Sequence, residues 1–265
     1  MKTVAIVGVG LIGGSFGLAL RRSGFDGSIL GVSSARSIDE ALERGAINRG
    51  ATLEEAAGLA DLIFLAQPVL GIIETLGKLD ALVRPEALVT DVGSTKQAIV
   101  DAASRCLIRC AFVGGHPMAG KEQRGAAAAD ARLFEGRPWI LTREHSEFRQ
   151  WITTFGARPM VLDAATHDRL VAWASHLPQL ASTALAAVLC DHEPGAASIA
   201  GPGLLDMTRL AMGSFDLWSD ILETNQAAVA GALDAYIARL QGLRGNIESE
   251  FSKASEFARE LRKRA

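Results

Sequence analysis

The chain has 265 residues, 49% of them hydrophobic and 22% charged, enough apolar material for one large domain or two modest ones. A formal net charge of −3 at pH 7 gives no sign of a general nucleic-acid binder, and no nucleic-acid partner is expected. The longest apolar stretches, such as Leu180 to Cys190 with Ser182 and Thr183 inside it, are too short to span a bilayer, so no membrane role is expected.

Met1-Lys2-Thr3 leads directly into the strand-like run Thr3-Val4-Ala5-Ile6-Val7, so no secretory leader is expected. That run ends in Gly8-Val9-Gly10-Leu11-Ile12-Gly13-Gly14, and an apolar helical pattern follows until Ser23-Gly24. Strand, glycine loop and helix in this order form a dinucleotide-binding unit. Gly8, Gly10 and Gly13 allow the tight turn and the close backbone approach. Leu11 and Ile12 open the helix, whose N–H groups and positive dipole end suit a pyrophosphate.

A second strand is predicted over Ser28-Ile29-Leu30-Gly31-Val32. NAD-binding units place a carboxylate just after it, on the ribose hydroxyl. Here that place holds Ser33, Ser34 and Arg36. Hydroxyls and a guanidinium can bind a 2′-phosphate that a carboxylate would repel, so NADP is expected over NAD. The alternative is that both serines only turn the chain and Arg36 is solvated.

Strand–helix alternation continues. Ser37 to Glu43 reads as helix, and Thr52-Leu53-Glu54-Glu55 as a capped helix start. Asp61 to Ala66 reads as a buried strand meeting Gln67-Pro68 at the cofactor edge, and residues 69–82 as helix. Leu88 to Val92 is a strand leading to Gly93-Ser94-Thr95-Lys96. Cys106 and Cys110 have no histidine spaced to complete a zinc site; with Cys190 they read as reduced thiols of a cytoplasmic protein, and no metal is expected.

Ala111-Phe112-Val113 is a strand, followed by Gly114-Gly115-His116-Pro117-Met118-Ala119-Gly120. A lone histidine in a core is commonly structural. This one lies among glycines and a proline at a strand's carboxyl end, where ligands bind in open α/β sheets, which favours a functional role. Trp139-Ile140-Leu141 and Met160-Val161-Leu162 are later strands. The whole implies a doubly wound, mostly parallel sheet over residues 1–163.

Residues 164–265 read as all-α. His167 to Cys190 is a long helix interrupted by Pro178, Gly201-Pro202-Gly203 is a turn, and Leu217 to Leu243 is further helix. Ile247, Phe251, Ala254, Phe257 and Leu261 fall on one face of a terminal helix. That much apolar surface is expected to build a homodimer, the alternative being a monomeric core. His176 and Gln179, three apart beside Pro178, face roughly the same way. Arg209 offers a cation for an acidic substrate, or a salt bridge to Asp206.

Taken together, these motifs resemble the prephenate/arogenate dehydrogenases of tyrosine biosynthesis. The resemblance is carried by Val7-Gly8-Val9-Gly10-Leu11-Ile12-Gly13-Gly14-Ser15, Thr90-Asp91-Val92-Gly93-Ser94-Thr95-Lys96 and the Gly114 to Gly120 segment. Gly136-Arg137-Pro138-Trp139, His167-Asp168-Arg169-Leu170, Ser175-His176-Leu177-Pro178-Gln179 and Asp206-Met207-Thr208-Arg209-Leu210-Ala211 complete it. It implies a Rossmann domain followed by a helical dimerisation domain, and oxidative decarboxylation with hydride transfer to a nicotinamide. By position, His116 would accept the proton of the substrate's ring 4-hydroxyl, and Ser94 would hydrogen-bond that hydroxyl or His116. Arg209 would bind a substrate carboxylate, with His176 and Gln179 also on the substrate. Prephenate-using members usually carry histidine where this chain has Gln179, which points to arogenate, with a prephenate or dual-specificity enzyme as the alternative. At this length, none of the fused mutase or regulatory domains of some members is expected.

Other Rossmann-plus-helices dehydrogenases generally place a lysine base in the helical domain. After Lys121 the only lysines are Lys253 and Lys263, both in the tail, which argues against them. A nucleotide-sensing module without catalysis would not need His116, Ser94 and Arg209 together.

Overall fold

Alternation along the first strand decides the layering. In β1 (Thr3–Val7), Val4 and Ile6 enter one core cluster with Leu62 and Phe64, while Ala5 and Val7 enter a second with Ile63 and Leu65. A strand buried on both faces needs helices on both sides, which the glycine-loop helix α1 (Leu11–Arg22) begins to supply. The computed structural model describes residues 1–121 and 123–264, the last by its backbone alone.

The chain continues through β2 (Ser28–Val32), α2 (Ala35–Glu43), β3 (Arg49–Gly50), α3 (Leu53–Leu59), β4 (Leu62–Leu65), α4 (Val69–Leu79), β5 (Leu88–Asp91), α5 (Gln97–Cys106) and β6 (Ala111–Val113). The six strands are parallel in the order β3-β2-β1-β4-β5-β6. The order reverses between β1 and β4, which opens a crevice at the carboxyl edge. This is the doubly wound sheet expected from the sequence. Thr52 caps α3 by accepting from the Glu55 N–H, also as expected.

The later strands do not extend that sheet. β7 (Gly115–Pro117) pairs antiparallel with β8 (Pro138–Leu141), and β9 (Arg158–Val161), reached through α6 (Ser146–Thr154), pairs parallel with β8. The switch between sheets is made at Gly114-Gly115, where a Cβ on Gly115 would stand 2.6 Å from the Asp91 carbonyl oxygen. Trp139 anchors the small sheet on the α1 face of the large one, in an aromatic cluster where Phe16 and Phe64 stack at 3.7 Å. Each such ring buries about 150–250 Å².

Two units divide the chain: Met1–Val171 with Gly213–Asn225, and Ala172–Met212 with the chain from Gln226 onward. α7 (Ala164–Val171) belongs to the first of these units, as does the segment Gly213–Asn225. The expected single helix from His167 to Cys190 is instead α7, a π turn over Ala172–His176, and α8 (Leu177–His192). Pro178 has no N–H for the Ala174 carbonyl, so the ladder slips there. Gly201-Pro202-Gly203 is not a free turn, because Pro202 starts α9 (Pro202–Thr208). Asn225 breaks the other long helix into α10 (Phe215–Thr224) and α11 (Gln226–Gly242). α12 (Ile247–Arg264) ends the chain, with Ile247, Phe251, Phe257 and Leu261 exposed. No helix among the described residues is long and apolar enough to cross a membrane.

Candidate active site

The glycine loop is built for a close ligand. Gly8 has φ +93° and its Cβ position lies 2.6 Å from the Ala66 carbonyl oxygen, so no side chain fits. At Gly13 a Cβ would fall 2.2 Å from the Gly8 carbonyl oxygen, which locks helix onto strand. Gly10 instead faces open space. It caps α1 without a side-chain bond, so the first N–H groups of that helix stay available to an anion. These residues fit a dinucleotide pyrophosphate.

A cavity of about 460 Å³ continues from this loop, lined by Leu11, Ile12, Gln67, Pro68, Gly93 and Ser94 among others. All five of the expected residues outside the glycines and the β2 end, namely Leu11, Ile12, Gln67, Pro68 and Ser94, are in its wall. The Gln67 side chain is held by the Thr75 hydroxyl at 2.8 Å. Asp216, Leu217 and Ile221 of α10 complete the wall. α10 is tied down where Asp220 accepts the Leu70 N–H and where Thr224 meets Thr95.

At the end of β2, beside the glycine loop, Ser33 and Ser34 are exposed. Ser34 caps α2 by accepting from the Ser37 N–H, and the two hydroxyls lie 3.0 Å apart. Arg36 is exposed and pairs with Glu40 at 2.9 Å on the surface of α2. That pairing holds the Glu40 carboxyl below the usual carboxylate range.

His116 lies in the middle of β7, half-buried, rather than at the end of a strand of the large sheet. Its Nδ1 meets Nε2 of His167 at 2.8 Å, and Nδ1 of His167 meets the Asp168 carboxylate at 2.7 Å. His167 is fully buried and Asp168 nearly so. The same carboxylate accepts the N–H groups of Lys96 (2.7 Å) and Gln97 (2.9 Å), and Asn225 donates to the Asp168 carbonyl. Ser94 makes no hydrogen bond to His116 among the described residues; it lines the cavity beside Gly93.

Sequence reasoning quoted His167-Asp168 as part of a motif but gave it no task. A histidine next to an acid, buried on an amphipathic helix, was the available signal. Asp91 and Lys96 stand in another of those motifs, likewise without a task. Both are fully buried and ion-paired, and Asp91 further accepts the N–H groups of Gly93 (2.7 Å) and Gly115 (3.1 Å). Burial pushes the Lys96 ammonium below the usual lysine range, and the Asp91 and Asp168 carboxylates oppose that shift.

In the helical unit, Gln179 is buried, and its Nε2 donates to the Leu210 carbonyl at 2.8 Å and to Thr183 at 3.3 Å. The Ser182 hydroxyl accepts the Ala211 N–H. These bonds bring Gln179 beside the segment that starts at Arg209. His176 is buried in the π turn. Asp206 forms no ion pair among the described residues, so the alternative partnership with Arg209 is not made. The three cysteines are free.

The family described as "Prephenate dehydrogenase, nucleotide-binding domain" matches residues 16–156, and "Prephenate dehydrogenase, dimerization domain" matches residues 163–263. A prephenate dehydrogenase of Lactococcus lactis is 32% identical over 262 residues, 97% of this chain and 74% of its own. The structure of prephenate dehydrogenase from A. aeolicus, in complex with hydroxyphenyl propionate and NAD+, has a TM-score of 0.87 at 32% identity, covering 99% of this chain and 96% of that one. Synechocystis arogenate dehydrogenase has a TM-score of 0.79, also at 32% identity, covering 99% and 97%.

Proposed function

The chain belongs to the prephenate dehydrogenase family and is a nicotinamide-dependent oxidoreductase, and we propose that its reaction is the oxidative decarboxylation of arogenate to tyrosine with NADP. The observation that carries the catalytic half is the hydrogen-bonded run from His116 through His167 to Asp168. A carboxylate can only accept, so His167 holds its proton on Nδ1 and presents a lone pair at Nε2. His116 then donates from Nδ1, and its own Nε2 is the basic nitrogen. An imidazole in this tautomer is prepared to take the proton of the ring 4-hydroxyl, with Ser94 hydrogen-bonding the same oxygen.

Bound NADP supplies the hydride acceptor. As the hydroxyl proton moves to His116 and the C4 hydrogen leaves with its electron pair, the ring gains a carbonyl that withdraws electrons. The ring carboxylate departs as CO2 and its bonding pair completes the aromatic product. The protein has to orient the substrate and keep a neutral base in place.

Arg209 is assigned to a substrate carboxylate, with His176 on the substrate as well. Arogenate has an ammonium where prephenate has a keto oxygen. With Nε2 of Gln179 engaged by Leu210 and Thr183, the amide oxygen is the end left to accept from an ammonium. A charge-assisted bond of that kind contributes about 1.5–3 kcal/mol. Ser33, Ser34 and Arg36 are assigned to the 2′-phosphate. The exposed apolar stripe on α12 supports a homodimer, and three free thiols support a cytoplasmic setting.

The test is initial-rate assay with arogenate and with prephenate, each with NADP and NAD, on the wild type and Gln179→His. The wild type is expected to show its highest kcat/KM with arogenate and NADP, and Gln179→His to raise the prephenate-to-arogenate ratio. A higher wild-type kcat/KM with prephenate would replace the substrate assignment by the prephenate or dual-specificity reading.

A further inference from the structure

A lysine removed from water is costly and rarely present without a task. Lys96 is fully buried, as is its partner Asp91, and neither touches a reacting atom in the reaction described above. What they hold is informative. The Oδ1 of Asp91 accepts the N–H of Gly115, the residue before His116, and Oδ2 accepts both the N–H of Gly93, the residue before Ser94, and the Lys96 ammonium. At its other end Lys96 donates its main-chain N–H to Oδ1 of Asp168, the oxygen that also receives the His167 proton. Thr95, between Ser94 and Lys96, is fastened to Thr224 at 2.7 Å.

We propose that Lys96 is a positioning residue for catalysis: its buried ammonium is the side-chain partner of Asp91, which grips both the Ser94 loop and the His116 strand, while its backbone grips the acid behind His167. The proposal rests on His116 being the base. The geometry gives its logic. Asp91 ties β7 to β5 by accepting two backbone N–H groups, and Lys96 is its side-chain partner. In a fully buried place, losing that partner leaves Asp91 under-satisfied, and the loop and strand it holds rearrange to satisfy it. The rearrangement moves Ser94 and His116 relative to each other, and small displacements of reacting groups cost large factors in rate.

A purely structural lysine makes a different prediction. Its loss lowers the melting temperature but leaves turnover per folded molecule untouched. Lys96→Met, Asp91→Asn and the double variant are therefore compared by kcat at a temperature well below each Tm, normalised to folded protein, with NADPH affinity followed by its fluorescence. Lys96→Gln, which can still donate to Asp91, is made alongside so that a folded variant is available, and His116→Asn is the control.

Lys96→Met is expected to lose about 10–100-fold in kcat, the range typical of residues that orient a catalytic group, with NADPH affinity within about threefold. Asp91→Asn is expected to match it, and the double variant to be no worse than the poorer single one, because the two act as one unit. Lys96→Gln is expected to lose at least about fivefold. A kcat within about twofold of wild type in Lys96→Met, or in Lys96→Gln should the first not fold, overturns the proposal while His116→Asn remains inactive. Full activity in His116→Asn would instead overturn the assignment of the base on which the proposal stands.

Discussion

Replacing His167 by leucine removes the middle of the run behind His116 without touching the substrate. Between neutral rings, the state that the proposed base requires, the 2.8 Å contact is a bond worth about 0.5–1.5 kcal/mol. Once His116 has taken the substrate proton, its donor is charged, and the same contact is worth about 1.5–3 kcal/mol. The difference, about 1–2 kcal/mol, is available only as the transition state forms and corresponds to roughly 5–30-fold in kcat. KM is expected to stay near wild type, because the lost interaction does not bind the ground state. Asp168 keeps the N–H groups of Lys96 and Gln97, so the variant should fold with a lowered Tm. Initial rates followed at the reduced-nicotinamide absorbance, at saturating substrate and cofactor, give the answer. A kcat within about twofold of wild type would refute the reasoning and reduce His167 to a packed side chain.

Arg209→Ala is expected to raise KM for the substrate with little change in NADPH affinity, and Arg209→Lys to rescue it only in part because the planar fork is lost; steady-state kinetics on both variants checks this. Ser33→Asp combined with Arg36→Ala is expected to move preference toward NAD, read as the ratio of kcat/KM for the two cofactors. Asp61 is held below the usual carboxylate range chiefly by the Lys2 N–H, then by Thr3 and the Arg84 guanidinium. A depressed folded value means that its contribution is present above the ordinary carboxylate range of about 4 and is lost as pH falls from there through the lower folded value. Asp61→Asn should accordingly lower Tm at neutral pH, and thermal melts should show the gap closing in acid.

The parts of the molecule governed by short-range rules could be read from the chain. The glycine loop between β1 and α1 declares itself because a tight turn, an open approach at Gly10 and a close contact at Gly13 all demand glycine within six residues. His116 stood out because glycines and a proline surround it. In the small sheet β8 and β9 read as strands but β7 did not, since a three-residue strand containing glycine and proline carries no periodicity. His167 and Asp168 were visible only as a motif: the bond that gives them a function joins residues 51 apart, and nothing local announces it. Lys96 was obscured by its type, since a lysine beside a turn reads as solvated. Pro178 signalled a break in its helix, but the π turn that absorbs it depends on how the ladder slips there. The β2 end was legible as chemistry, a missing acid and a nearby base. The pairing of that base with Glu40 needed the fold of α2.

The most direct test of the whole account is the turnover of His116→Asn, measured per folded molecule with cofactor affinity recorded on the same sample. Asparagine keeps a polar side chain in β7 but cannot act as the proton acceptor. The account predicts a fall in kcat on the order of 10²–10⁴, with NADPH binding and Tm close to wild type. Near-normal turnover at neutral pH would contradict it and make His116 a structural residue of the small sheet.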